Sequence, residues 1–561
     1  MSRCRQPCCF NSNARNRRHS RQSAGVKVDA SILLFYPFKN LTRFAQRSVT
    51  YPNSSVTTRE LGYTPELRKK FESLLAFCCG SDSERSKFHR FEAELLRRVF
   101  ELARLLVMLF LLSRHRRLNL RLFFNSRKYK LDEPYAQRTL QTVFGEVKYG
   151  RVYLRRRQGG SGYHPLDEEL GLTRDGYSPG TMSFLGRLAT RMSYESAQVI
   201  SRCAWGWAPS TETLHRMVLG LGRYASGYVD SGQWWRSKKK RKQEGSVLVI
   251  EEDGKCPPTA TAGELAKRRQ PRRPKKCCCQ RHRGKKKRQE RGSKKRRRKG
   301  DKSKNGREAM VIVMYTLRRG VDGLLHGPIN KKVWATFAGR KAAAAWARAE
   351  ATRRGFGPSR NRDVQVVIDG ANGLEENLRK EFAGAIFTLD VRHVEERVWK
   401  AGRAFHREGS KELTAWVKER KNLLYNKKPQ VLLAWLQEER ERLHGERRSE
   451  GKRQALQKLI DYLEPRLSML RYAYCKRKDL VLASGQVEGA VRYVVAQRFD
   501  CSGMRWIVEN AESLLQLRCL EVNGDWEAFF AWIMRENEQK LHRHEKVQIR
   551  AQPPKPSTVA A

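Results

Sequence analysis

The residues best suited to chemistry are carboxylates at the ends of β-forming runs. Asp253 closes SVLVIEED, in which Val247, Val249, Glu251 and Asp253 share one face, and Asp369 closes the short apolar run 364–368. Each is followed by glycine, which lets a substrate backbone come close, although Asp-Gly is also an ordinary turn. Two unscreened carboxylates at short range raise each other's pKa, so such a pair calls for a cation between them. Two Mg²⁺ or Mn²⁺ ions about 4 Å apart would activate a water or a 3′-hydroxyl and stabilise the leaving oxygen of a phosphodiester. Glu488, in SGQVEG, offers a third carboxylate one turn inside a helix that Ser484 is placed to cap; its plainer role is an i,i+4 pair with Arg492. Asp390 and His393 lie three residues apart where a strand runs into a helix. They are expected beside the metals, positioning a ligand or the strand, with a neutral imidazole able to take a proton; the alternative is a simple helix cap.

The elements that must position these groups read βββαβαβ. AMVIVMYTLRR supplies a second strand, LLHGPINKKVWATF a third, 339–354 a helix, 364–368 a buried strand, 374–382 a helix and 385–389 a strand. An antiparallel meander followed by βα repeats describes an α/β fold with a ribonuclease H-like mixed sheet, the site lying at the C-terminal ends of the crossover strands. Residues 394–480 are an all-α insertion, with Leu456, Leu459, Ile460 and Leu463 at helical spacing. The catalytic domain therefore spans 246–520, followed by a C-terminal helix and disordered tail over 521–561. Ahead of it the pattern gives a disordered basic leader (1–60), a helical region (61–135), and a small β unit with a helix-turn-helix-like region (136–235). There Ser193 and Ser210 cap two helices around Gly206 and Trp207. This leaves Thr211, His215 and Arg216 near the start of the second, where a recognition helix meets the major groove; any helical hairpin shares the spacing.

Charge narrows the partners. The 561 residues hold 115 Lys and Arg against 58 Asp and Glu, a net charge of +57, and 23 of those cations fall in 267–307 against two acids, Glu290 and Asp301. A like-charge block of this kind is expected to be a solvated, mobile arm, and the whole chain to seek a polyanion, nucleic acid above all. The contiguous Cys277, Cys278 and Cys279 do not have zinc-ligand spacing. No apolar run approaches the ~20 residues that span a bilayer, and no signal peptide is readable. A reducing cytoplasmic location is expected, with the 13 cysteines as thiols.

TVFGEV, PLDEELGL, EEDG, VVIDGANG, LDVRHV, SGQVEG and RFDCSGMRW, spread over residues 140–535, resemble the bacterial insertion-sequence DDE transposases of the Mutator-like branch, ISKra-type group. The resemblance implies that Asp253, Asp369 and Glu488 bind the catalytic metals, and that Asp390 and His393 form the group's D/C-x-x-H signature. It implies cleavage and strand transfer of double-stranded DNA by a nucleoid-associated homo-oligomer. Arg492, Arg498 and Arg505 are expected on DNA, Trp506 in the core. The basic arm and the Cys-bearing leader depart from the group's pattern. Two rival readings are a catalytically inactive, transposase-derived DNA-binding protein and a nuclease or resolvase on the same fold.

Overall fold

The computed structural model describes residues 58–542, except 81–85, 118–128, 160–161, 174, 233–242, 264–265, 267–306, 372, 446–448 and 502–503. The expected leader, basic arm and tail lie largely or wholly outside the described residues. Two helices come first, α1 (Thr58–Cys79) and α2 (Phe88–Arg117), then a long antiparallel hairpin, β1 (Tyr129–Thr142) and β2 (Gly145–Arg156). The hairpin turns at Gly145, whose φ of +109° suits glycine.

Next come α3 (Pro165–Glu169), α4 (Pro179–Arg191), α5 (Tyr194–Trp205) and α6 (Thr211–Asp230). Their starts follow local chemistry: Ser178, Ser193 and Ser210 each accept a hydrogen bond from the amide three residues on. Gly206, left-handed at φ +74°, ends α5. The buried face of α6, including Val218, Leu221, Ala225 and Tyr228, belongs to the same core as the central sheet. At Gly222 a Cβ would meet Ser513 Cβ at 2.4 Å, so glycine permits a close helix crossing there.

The central sheet holds β3 (Val247–Lys255), β4 (Ala309–Arg319), β5 (Leu325–Thr336), β6 (Val364–Ile368) and β7 (Ile386–Leu389), in the order β5-β4-β3-β6-β7. β3, β4 and β5 form the antiparallel meander; β3 pairs β6, and β6 pairs β7, in parallel. β4 and β6 are apolar and buried along nearly their whole lengths, as strands covered on both faces must be. Crossovers run through α7 (Arg340–Arg353) and α8 (Leu374–Glu381).

After β7 the chain is helical: α9 (Val391–Gly402), α10 (Lys411–Asn426), α11 (Pro429–Arg442), α12 (Glu450–Leu463) and α13 (Tyr472–Arg477). These fill the expected insertion. α14 (Gly485–Ala490) then runs through a π-helical turn, Val491–Ala496, and is followed by α15 (Val508–Val522) and α16 (Trp526–His542). The fold is thus mixed α/β, with a five-stranded mixed sheet. Among the described residues no helix is long and apolar enough to cross a membrane.

Candidate active site

Alternation along β3 sorts three consecutive acids. Glu251 and Asp253 point to the face covered by α14, Glu252 to the opposite face. Glu251, fully buried, accepts from Tyr315 Oη at 2.7 Å and from the Val487 amide at 2.9 Å, so a carboxylate from the sheet caps the first turn of α14. Ser484 is the N-cap residue, but it does not cap with its side chain as expected. Its hydroxyl donates instead to Asp390 Oδ2, which also accepts from the Ser484 amide at 2.7 Å.

β3 and β6 are in parallel register with Glu252 opposite Ile368, so Asp253 and Asp369 each stand one residue beyond the last pair. Asp253 Oδ1 accepts from the Gly254 amide at 2.6 Å, and Asp369 Oδ1 from the Ala371 amide at 2.8 Å. Burial pushes the Asp253 carboxyl up to about 6. The charges of Asp369 and Glu488 push the same way, while the Gly254 amide and His393 oppose them. The two glycines leave room for internal neighbours. A Cβ on Gly254 would meet Glu308 Oε1 at 2.5 Å; one on Gly370, at φ +77°, would meet Leu389 Cδ1 at 2.6 Å and Tyr462 Oη at 3.0 Å.

Glu488 is exposed and makes no ion pair with Arg492; the imidazole of His393 faces it, Nε2 to Oε1 3.9 Å. Asp390, His393 and Glu488 each offer a ligand atom within 4.8 Å of the others. Among the described residues that group, and not Asp253, Asp369 and Glu488 together, meets this spacing. Asp390 is fully buried and its oxygens already accept four hydrogen bonds. Oδ1 takes the Arg392 amide at 2.6 Å and the His393 amide at 3.4 Å, and Oδ2 takes the two groups of Ser484. A carboxylate has about four lone-pair sites, so Asp390 is committed to joining α9 to α14. It is both helix cap and strap.

The DNA-facing expectations divide. Arg492 and Arg505 are exposed. Arg498 is not available to DNA: it is 1% exposed, donates to the Ala189 carbonyl at 3.1 Å and lies between the rings of Tyr194 and Trp506. Spacing along a helix does not reveal which neighbour will cover an arginine. Trp506 is buried, as expected. At the start of α6 Thr211 and Arg216 are exposed and His215 is half-buried against Tyr194.

Two groups to which the sequence assigned no role matter to the structure. Glu251 shares its strand face with Asp253, and that alternation was the available signal. In PLDEELGL, Asp167 is buried, accepts from Tyr149 Oη at 2.9 Å and pairs with Arg138 and Arg151, which fastens α3 to the hairpin. That motif is structural. No curated protein matches the chain. Residues 83–307, from five residues ahead of α2 to just before β4 and including Asp253 but neither Asp369 nor Glu488, match the family model of an uncharacterised protein family, UPF0236.

Proposed function

We propose that the chain is a DNA transposase of the DDE type, which binds insertion-sequence ends, cuts a phosphodiester and joins the freed 3′-hydroxyl to target DNA. The observation that carries this reading is the pair Asp253 and Asp369 at equivalent ends of adjacent parallel strands, with Glu488 close enough to raise the Asp253 pKa. A meander followed by two parallel crossovers is compatible with a ribonuclease H-like sheet, and α9–α13 occupy the place of the helical insertion in the group the sequence resembles.

The donor chemistry fits a hard divalent cation: three carboxylates offer oxygen ligands, and Asp253, raised first by burial, is raised further by the charges of Asp369 and Glu488. Asp253, Asp369 and Glu488 would hold Mg²⁺ or Mn²⁺, which supplies activation of the attacking oxygen and stabilisation of the leaving one. Glu251 and Asp390 hold the helix that presents Glu488. His393, facing Glu488, can take a proton at Nε2 from the attacking hydroxyl. Arg492 and Arg505 meet the DNA backbone, and Thr211, His215 and Arg216 at the start of α6 read element ends, while the net charge of +57 supplies sequence-independent affinity.

The test uses the full chain with duplex DNA taken from the flanks of its gene. Asp253→Asn, Asp369→Asn and Glu488→Gln should each abolish Mg²⁺-dependent cleavage and strand transfer and leave binding intact. Near-normal cleavage by any one of them removes that residue from the assignment. Cutting without joining would favour a nuclease or resolvase, and binding without chemistry an inactive transposase derivative.

A further inference from the structure

Beside the loop that follows Asp369, between α9 and α12, lies a pocket of about 660 Å³. Arg397 and Lys400 line it from α9, Lys458 and Tyr462 from α12, and Arg466 from the turn that follows, against one acid, Asp461. Its floor is tied to the candidate active site, because Tyr462 Oη donates to the Asp369 carbonyl at 3.0 Å. The Tyr462 ring carries two guanidiniums, Arg397 at 3.7 Å and Arg466 at 4.9 Å from its centroid. A guanidinium stacked by its face keeps N–H donors at its edge for an anion. Lys400 and Lys458 are exposed and form no ion pair among the described residues. The acid is already engaged, accepting from Gln457 Nε2 at 2.7 Å.

Four cations around one space repel each other, and an entering anion relieves that repulsion. Packing does not require it: removing exposed lysines changes stability by little. A second opening along α9 shares Arg397 and Lys400 with the pocket and adds His393, Arg403 and one acid, Glu396, so a predominantly basic surface leads from the neighbourhood of Glu488 into the pocket.

We propose that this pocket seats backbone phosphates of the nucleic-acid strand on which the carboxylates act, so that the helical insertion is part of the substrate site. The inference rests on the reading of the site as one for DNA. Its own content is the location: the α9–α12 pocket, rather than the sheet or α6 alone, contacts the strand.

The experiment compares the full chain with the Lys400→Ala/Lys458→Ala double variant and the matching Lys→Arg double variant, binding a DNA duplex over a series of salt concentrations. Each phosphate contact contributes about 0.9 to the slope of log affinity against log salt. The alanine variant should lose about 1.8 of slope and the arginine variant should keep it, with unchanged thermal unfolding in both. An unchanged slope in the alanine variant overturns the pocket while leaving the DNA reading intact. Failure of the unsubstituted chain to bind duplex at all overturns the DNA reading itself. Protection of the two lysines from acetylation by inorganic phosphate as effectively as by duplex would place a free anion in the pocket and overturn the strand assignment.

Discussion

Replacing Glu252 with glutamine should remove a steep pH dependence from the stability of this fold. Glu252 is 1% exposed, and neither of its carboxylate oxygens has a hydrogen-bond partner. It lies on the face of β3 opposite Asp253, where Arg340 and Glu308 pair at 3.0 Å. Burial pushes its carboxyl from an ordinary 4.5 to about 8; Arg340 opposes this, while Glu308, Asp369 and Asp253 add to it. The folded chain therefore retains a proton that the unfolded chain gives up above 4.5. Stability is full below that value and is lost as pH rises through 8. At about 1.4 kcal/mol per pH unit the whole interval amounts to about 5 kcal/mol, of which about 3 is gone by neutral pH. Against a usual stability of about 5–15 kcal/mol this is a large fraction. Urea unfolding of the full chain and of Glu252→Gln in a chelating buffer, from about pH 5 to 9, reads the difference directly. Variant minus wild type should climb by about 1.4 kcal/mol per unit and level off above pH 8. The slope is the readout, because a buried glutamine carries its own unmet polar groups and shifts the curve by a constant. Parallel curves, within about 0.5 kcal/mol across the range, would mean that Glu252 is ionised beside a cation in solution, and the argument from burial would fail.

Other substitutions separate positioning from chemistry. Glu251→Ala strands the Val487 amide and the Tyr315 hydroxyl and opens a cavity, so urea unfolding should show a loss of about 3–5 kcal/mol. Glu251→Gln, which still accepts one of the two bonds, should cost about 1, and equal costs would contradict the capping role. His393→Ala should give a folded, DNA-binding protein that cleaves about ten to a hundred times more slowly; cleavage within about twofold of wild type, with only a lower melting temperature, would reduce His393 to a helix-start residue. Gly370→Ala combines a left-handed backbone with a Cβ 2.6 Å from Leu389 Cδ1, and calorimetry should register a loss of about 2–4 kcal/mol. A neutral result there would mean that the loop after β6 can adopt another path.

The sheet was legible in the sequence because its central strands must be apolar on both faces. The run 364–368 coincides with β6, and the βββαβαβ order is observed, since hydrophobic pattern and turn chemistry act over a few residues. The serine caps of α5 and α6 were legible for the same reason. Long-range choices were not. Nothing local in RFDCSGMRW says that Arg498 will turn inward to the Ala189 carbonyl, and nothing in the insertion says that Tyr462 will reach the backbone of Asp369. Ser484 shows the same limit on a smaller scale: its position favours a cap, but a buried aspartate 94 residues earlier takes its hydroxyl. Close to the glycines after the two aspartates lie Glu308 and Tyr462, neighbours that only the fold brings there.

The two carboxylates that hold α14 also set a timetable for synthesis. Glu251 finds its amide partner 236 residues later in the chain, and Asp390 finds Ser484 94 residues later. At about 5–20 residues per second on the ribosome, Glu251 emerges roughly 10–50 s before the segment that satisfies it. Until then the sheet has a buried acid facing no donor from α14, and the helix bearing Glu488 does not exist. A nascent chain, or one cut short anywhere before Ser484, can thus carry Asp253, Asp369 and the basic arm without carrying an assembled site. The last acid of the cluster to be made, Glu488, sits on the helix that both contacts hold, so the carboxylate cluster is among the latest parts of the sheet's surroundings to be completed.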